Sequence, residues 1–244
     1  MIFFNTLISK LIPFFPKNVM YQFAKKYVAG TDKKSAFKAI ESLNNDGYRV
    51  TLDILGEHTK ELETANNITE QYIILYNEIN KRGLNCNISL KPSHIGSDIN
   101  ENIYNTNLNK IIATSDRFNN FLRIDMESSK YTDFTIQSFR EGRRRSKNIG
   151  TVFQAYLYRT YDDILELDKR DLNFRLCKGI YKESNDICIN NRSEINKNYL
   201  KILRYAFENN IYVGIATHDT TLINSVHNLI NELNPSKDKF EFQV

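Results

Sequence analysis

Six stretches of this sequence end in side chains able to hold charge, protons or hydrogen bonds. Asp53 and Glu57 close the first, and Lys91 lies in the second. Arg123, Asp125 and Glu127 alternate with Ile124 and Met126 in the third. Gln154, Tyr156, Tyr158 and Arg159 follow, then Arg175 and Lys178 before Gly179, then Thr217 and His218. Alternate residues of a strand point the same way, so Arg123, Asp125 and Glu127 are expected on one face, as are Gln154, Tyr156 and Tyr158. Charge on a buried strand face is costly unless paired. Polar groups sent by six strands to one rim read as a functional mouth, with ion pairing between strands as the competing reading.

Each candidate also has a plainer reading. Lys91 has the solvated lysine of a loop entrance as its alternative, but Pro92 and Gly96 shape that loop, which favours function. His218 is balanced between a satisfied structural histidine and a site residue. His58, His94 and His227 read as structural or exposed, and no pair has metal-ligand spacing, so no metal is expected. Cys86 and Cys177 read as small buried apolar residues in strands. Arg140, Arg143, Arg144, Arg145 and Lys147 form a basic run, read first as a solvated helix face and second as a surface for anionic lipid.

The elements that must position these residues are written in the hydrophobic pattern. Apolar, β-branched runs fall at 50–55, 84–90, 121–126, 151–157, 174–179, 211–216 and 240–244. Their starts lie about 23 to 37 residues apart, one βα unit each. Between them, Ile68, Tyr72, Leu75 and Ile79 recur at helical spacing, as do Ile195, Tyr199, Ile202 and Ala206, and Leu222, Val226, Leu229 and Leu233. Gly83 stands where a C-cap glycine would stop the first of these helices. Alternation of this kind predicts a mainly parallel sheet. No G-x-G-x-x-G follows the first strand, and polar residues close many strands instead of one crevice, so a barrel is favoured over an open sheet.

The 244 residues, 41% hydrophobic and 25% charged, are enough for a large core without disulfides. Three cysteines without a C-x-x-C fit a reducing cytosol. A net charge of +4 is too mild to establish a nucleic-acid partner, and none is expected. Residues 1–16 are apolar but broken by Asn5, Lys10, Pro13 and Pro16, too short to span a bilayer. They read as part of a helical arm over 1–49, with a membrane-surface segment as the alternative. Helices are expected at 17–28 and 33–46, with Asp32 capping the second.

Seven motifs in this order carry a family resemblance. They are VTLDILGE (50–57), SLKPSHIG (89–96), LRIDME (122–127), QAYLYRT (154–160), RLCKGIY (175–181), ATHD (216–219) and FEFQ (240–243), with KKYVAG (25–30) in the arm. Together the chain resembles the FAD-dependent proline dehydrogenases of the monofunctional bacterial type. The resemblance implies a (β/α)8 TIM-type barrel over 50–244 with FAD at its C-terminal mouth. It implies oxidation of L-proline to 1-pyrroline-5-carboxylate, with electrons passed to a quinone, the first step of proline catabolism. A cytoplasmic protein, peripheral on the inner face of the membrane, would suit that acceptor.

By similarity, Lys91 meets the substrate carboxylate, and Asp125 and Arg175 are active-site residues. Met126, Gln154, Lys178, Gly179, Ile180, Thr217 and His218 match FAD contacts. An Arg at the flavin edge can stabilise a reduced anionic ring. Lys178 and the Gly179 turn suit a diphosphate. Asp125 is expected to offset the cations and fix Lys91, while Asp53 and Glu57 orient neighbours.

The resemblance also implies a paired-arginine helix and a tyrosine over the substrate, and those positions fall beyond Val244. Seven strands are counted where eight close a barrel, leaving about 50–60 residues to be supplied. The expectation is therefore an incomplete barrel. The alternative function is a truncated, impaired fragment that retains part of the FAD site.

Overall fold

The computed structural model describes residue 30 and residues 32–170 and 172–244. The expected helix at 17–28 and the segment 1–16 lie outside the described residues. Among the described residues, Lys33–Asn45 form α1, whose first turn is closed by Asp32 accepting from the Ser35 backbone N–H at 2.9 Å. A short polar side chain here satisfies a donor that the helix cannot pair internally.

Seven β-strands alternate with helices along the rest of the chain. They are β1 (Val50–Leu52), α2 (Leu62–Arg82), β2 (Cys86–Leu90), α3 (Glu101–Arg117), β3 (Leu122–Ile124), α4 (Thr132–Arg145) and β4 (Ile149–Gln154). After these come α5 (Thr160–Leu165), β5 (Asn173–Cys177), α6 (Arg192–Glu208), β6 (Tyr212–Ala216), α7 (Thr220–Leu233) and β7 (Phe240–Gln243). All seven expected strands are present, several of them shorter than their apolar runs. Gly83, at φ +64, follows α2 in the left-handed conformation expected of a C-cap glycine.

The described residues up to Val50 form one compact unit with Gly83–Cys86; Thr51–Arg82 and Asn87–Val244 form the other. In the smaller unit, Asn44 ties two backbones: its side-chain oxygen accepts from Asn85 N at 2.8 Å and its amide donates to Tyr48 O at 2.9 Å.

The strands form one sheet in sequence order, β1 to β7, and the pairs from β2 to β7 are all parallel. Sequence order in a parallel sheet is what successive right-handed βα units generate. The sheet curls as an incomplete β/α barrel. One face packs on the helices through Tyr72, Ile111, Tyr199, Leu203 and Val226, all fully or almost fully buried. Tyr72, Tyr199 and Val226 sit at the helical periodicity read from the sequence. Phe153 and Phe174 pack edge to face, 5.4 Å between ring centres, on adjacent strands β4 and β5.

The opposite, concave face is polar, and its side chains cross between alternate strands. Arg123 of β3 donates to Thr151 O of β4 and to Asn173 Oδ1 of β5, both at 3.0 Å. Gly150 makes room: a Cβ there would lie 2.6 Å from the Phe121 ring, 2.7 Å from Asn173 O and 3.1 Å from Arg123 Nη1. Burial lowers the Arg123 pKa to about 10, and nearby Arg175 adds to the shift.

Candidate functional site

The strand ends bring three cations together with three carboxylates, each cation held by its own partner. At the end of β2, Lys91 Nζ donates to Glu57 Oε2 at 2.8 Å. Within β5, Arg175 Nη1 donates to Asp125 Oδ1 at 3.1 Å. Just after β5, Lys178 Nζ pairs with Asp219 Oδ2 in a very short contact.

Lys91 opens a turn made rigid by Pro92. A short 3-10 helix, Pro92–Ile95, follows, and Gly96 ends it at φ +115. Asp125 is not the residue that fixes Lys91, contrary to the sequence expectation. Its Oδ1 is taken by Ser89 Oγ at 2.5 Å and by Arg175. Glu57 fills that role, and the Lys91 hydrogen bond holds its carboxyl below the usual range. Arg175 is clamped from the other side as well, its Nε donating to Gln243 Oε1 at 2.6 Å. Gly214 lets Gln243 approach, since a Cβ there would stand 2.7 Å from Gln243 Nε2. A line of side chains therefore runs Ser89, Asp125, Arg175, Gln243 over β2, the end of β3, β5 and β7.

Asp53 lies immediately after β1. Burial lifts its carboxyl to about 7, and the charge of Asp125 adds to the lift. Tyr72 Oη donates to Asp53 Oδ1 at 2.9 Å, which works in the opposite direction.

The expected alternation fails at two places, for the same reason. β3 ends at Ile124 and β4 at Gln154, so residues beyond those points no longer follow a strand's two-residue period. Glu127 turns away from Arg123 and Asp125. It accepts from Ser93 N at 2.9 Å and closely from Ser93 Oγ, so it anchors the Lys91 loop. Tyr156 is buried against Gly179, whereas Tyr158 is exposed and its N–H donates to Ile187 O at 3.2 Å. Gln154 is buried, its amide donating to Glu127 O at 2.7 Å, and Met126, the residue before Glu127, is buried as well. Cys86 is buried in β2 as expected, but Cys177 is only partly buried. The basic run is also more than a solvated face. Arg143 donates to Lys147 O at 2.6 Å and to Arg170 O at 3.1 Å, while Arg144 and Arg145 are exposed.

Gly179 has φ +113, and a Cβ there would fall 2.1 Å from the Tyr156 ring, so only glycine fits. The neighbouring Ile180 is 89% exposed. Thr217 Oγ1 accepts from Asp219 N at 3.2 Å, and His218 is exposed. Sequence reasoning missed Asp219, Arg192, Gln243 and Ser89. Asp219, Gln243 and Ser89 had a signal, since they end or begin the ATHD, FEFQ and SLKPSHIG stretches; Arg192 had none.

Glu57, His58 and Glu127 place ligand atoms within 4.8 Å of one another. Each already has a partner, in Lys91, Asp98 and Ser93 respectively, so the group reads as a hydrogen-bonded junction. A solvent-open depression of about 760 Å³ is lined by Tyr158, Asn190, Lys197 and neighbours. Of the polar residues expected at the rim, its lining includes Tyr158 alone.

The sequence model described as Proline dehydrogenase matches residues 36–244. The chain belongs to the proline dehydrogenase family. Proline dehydrogenase 2 of Bacillus subtilis is 38% identical over 221 residues, covering 91% of this chain and 73% of that protein. The Deinococcus radiodurans proline dehydrogenase is 31% identical over 230 residues, covering 92% and 74%. Among solved structures, proline utilization A of Bdellovibrio bacteriovorus superposes with a TM-score of 0.85 at 23% identity. That match covers 97% of this chain and 29% of the larger protein. Proline utilization A of Corynebacterium freiburgense gives 0.79 at 21% identity, covering 91% and 26%. These two structures show the shared fold. As a member of the proline dehydrogenase family, the chain carries seven strands of the family's β/α barrel, with polar strand ends on one rim.

Proposed function

We propose that this proline dehydrogenase family member binds FAD across the C-terminal ends of β4, β5 and β6 and oxidises L-proline to 1-pyrroline-5-carboxylate. The observation that carries the reading is the set of three cations at one rim, each oriented by its own carboxylate. Three features fit a flavin dinucleotide. Gly179 turns the backbone just after Lys178 at φ +113, a conformation that glycine permits. The Tyr156 hydroxyl is buried without a protein partner. Lys178 and Arg192 supply positive charge for a diphosphate.

Bound flavin supplies the acceptor for the hydride removed from the substrate carbon next to nitrogen. The chain's own residues bind and orient. Lys91, steered by Glu57, offers its ammonium to the proline carboxylate. Arg175, held by Asp125 and Gln243, presents its guanidinium where negative charge develops during oxidation. Preorganised donors of this kind need no rearrangement at the moment of reaction. Gln154, with its amide fixed on Glu127 O, offers a positioned hydrogen-bonding group, and Met126, Ile180, Thr217 and His218 complete the cofactor surface.

The electron acceptor is proposed to be a membrane quinone. Among the described residues no helix is long and apolar enough to cross a membrane. Contact with the bilayer would then be peripheral, on its cytoplasmic face, with exposed Arg144 and Arg145 toward anionic lipid.

The test is proline-dependent reduction of a dye by the FAD-loaded protein, with trapping of the pyrroline product. The reading predicts turnover that requires both L-proline and FAD, and a quinone replacing the dye. Turnover without flavin, or dye reduction without pyrroline, would reject it.

A further inference from the structure

We propose that Asp219 is a positioning residue that gathers Lys178 and Arg192 into one cationic grip for the diphosphate of a flavin dinucleotide. The inference deepens the FAD reading above and rests on it.

Asp219 divides its carboxylate between two tasks. Oδ1 caps α7, accepting from Thr221 N at 3.0 Å and Leu222 N at 3.3 Å. Oδ2 collects side chains from elsewhere. It takes Lys178 Nζ from the end of β5, and Arg192 from the start of α6 through Nε at 3.1 Å and Nη2 at 3.0 Å. It also takes Asn196 Nδ2 at 3.4 Å. The Asp219 side chain is only 7% exposed, whereas Lys178 is 22% and Arg192 77% exposed.

The capping task does not need an acid, because Asn caps a helix as well as Asp. The charge matters only for the second task. Two cations brought this close repel, and an exposed arginine loses rotamer freedom when it is fixed. A buried carboxylate offsets both costs. One negative charge against two positive charges leaves the group with a net charge of +1. A lysine has three donors and an arginine five, so both keep hydrogen bonds for an anion after binding Asp219. The Lys178 hydrogen bond holds the Asp219 carboxyl far below the usual range, so it stays ionised at neutral pH.

A carboxylate beside a phosphate site has an opposite reading, in which Asp219 competes with the phosphate for Lys178. The two readings give opposite signs for one variant. The measurement is fluorescence titration of the apo full chain with FAD and, in parallel, with riboflavin, which lacks phosphate. Asp219→Asn keeps the cap and removes the charge. Its FAD affinity is expected to fall about 10-fold or more while riboflavin affinity is unchanged. Arg192→Gln, at an exposed position, should lower the same ratio. The double variant should lose less than the product of the two single losses.

An unchanged or raised FAD-to-riboflavin ratio in both single variants, with the wild type binding FAD, overturns the positioning role alone. A wild type that binds neither flavin overturns the FAD reading and this inference with it.

Discussion

Arg175 and Asp125 meet at 3.1 Å across β4, although 50 residues separate them in the chain. Both side chains therefore project from the concave face of the sheet, where residues from alternate strands share a layer. The pair is mostly buried and is also held by Ser89 and Gln243. Removing one member strands the other. Asp125→Ala is expected to lower unfolding stability by roughly 1–3 kcal/mol, below the range for a fully buried pair because some solvent reaches both groups. A urea midpoint that falls with an unchanged m-value checks it. Coupling in a double-mutant cycle with Arg175→Met should account for most of the loss.

Lys91→Met should raise the KM for L-proline by about 10- to 100-fold with flavin content unchanged, since it removes a carboxylate partner and leaves the cofactor surface intact. Glu57→Gln should act in the same direction but only about 3- to 10-fold, because it loosens the lysine without removing its charge. Steady-state kinetics with flavin-to-protein ratios measured on each variant decide the matter. Loss of flavin in Lys91→Met would place this lysine elsewhere.

Asp53 predicts a pH dependence of stability. Its folded-state pKa is raised from 3.8 to about 7, so the folded protein holds that proton more tightly than the unfolded chain. Stability from this group is then full below about pH 4 and declines as pH rises toward 7, by at most about 1.4 kcal/mol per pH unit. Asp53→Asn should flatten this decline. Denaturation midpoints across that window would expose the error if the variant and the wild type run parallel.

Gly179→Ala should cost roughly 1–3 kcal/mol, from a left-handed backbone and overlap with the Tyr156 ring. Tyr156→Ala in the same chain removes the overlap but not the backbone strain. Tyr156→Ala carries its own cost as a buried ring, so thermal melts should show a smaller, non-zero loss from Gly179→Ala in the Tyr156→Ala background than in the wild type. No loss in that background would mean that the ring contact alone matters.

The strands were legible because each is a short apolar, β-branched run between helical repeats, and the face packed on the helices requires apolar side chains. The cap at Asp32 and the stop at Gly83 were legible from local chemistry alone. What a cation pairs with was not. Lys91 chooses Glu57 over Asp125 because Arg175 and Ser89 already occupy Asp125, and that depends on how far the sheet curls. The assumed face shared by Gln154, Tyr156 and Tyr158 fails because the chain leaves β4 at Gln154 and turns, with Leu157 N donating back to Gln154 O at 3.2 Å. A strand's length decides where alternation ends, and the apolar runs overstate that length. Asp219 stood in the sequence only as the end of the ATHD stretch; the fold makes it a helix cap and brings Lys178 and Arg192 to its second oxygen.

The most direct test is an anaerobic titration of the FAD-loaded chain with L-proline, following the visible absorbance of the flavin. The account predicts bleaching by L-proline that saturates, and that shifts to higher proline concentration in Lys91→Met. Flavin that stays bound and fully coloured at saturating L-proline would contradict it.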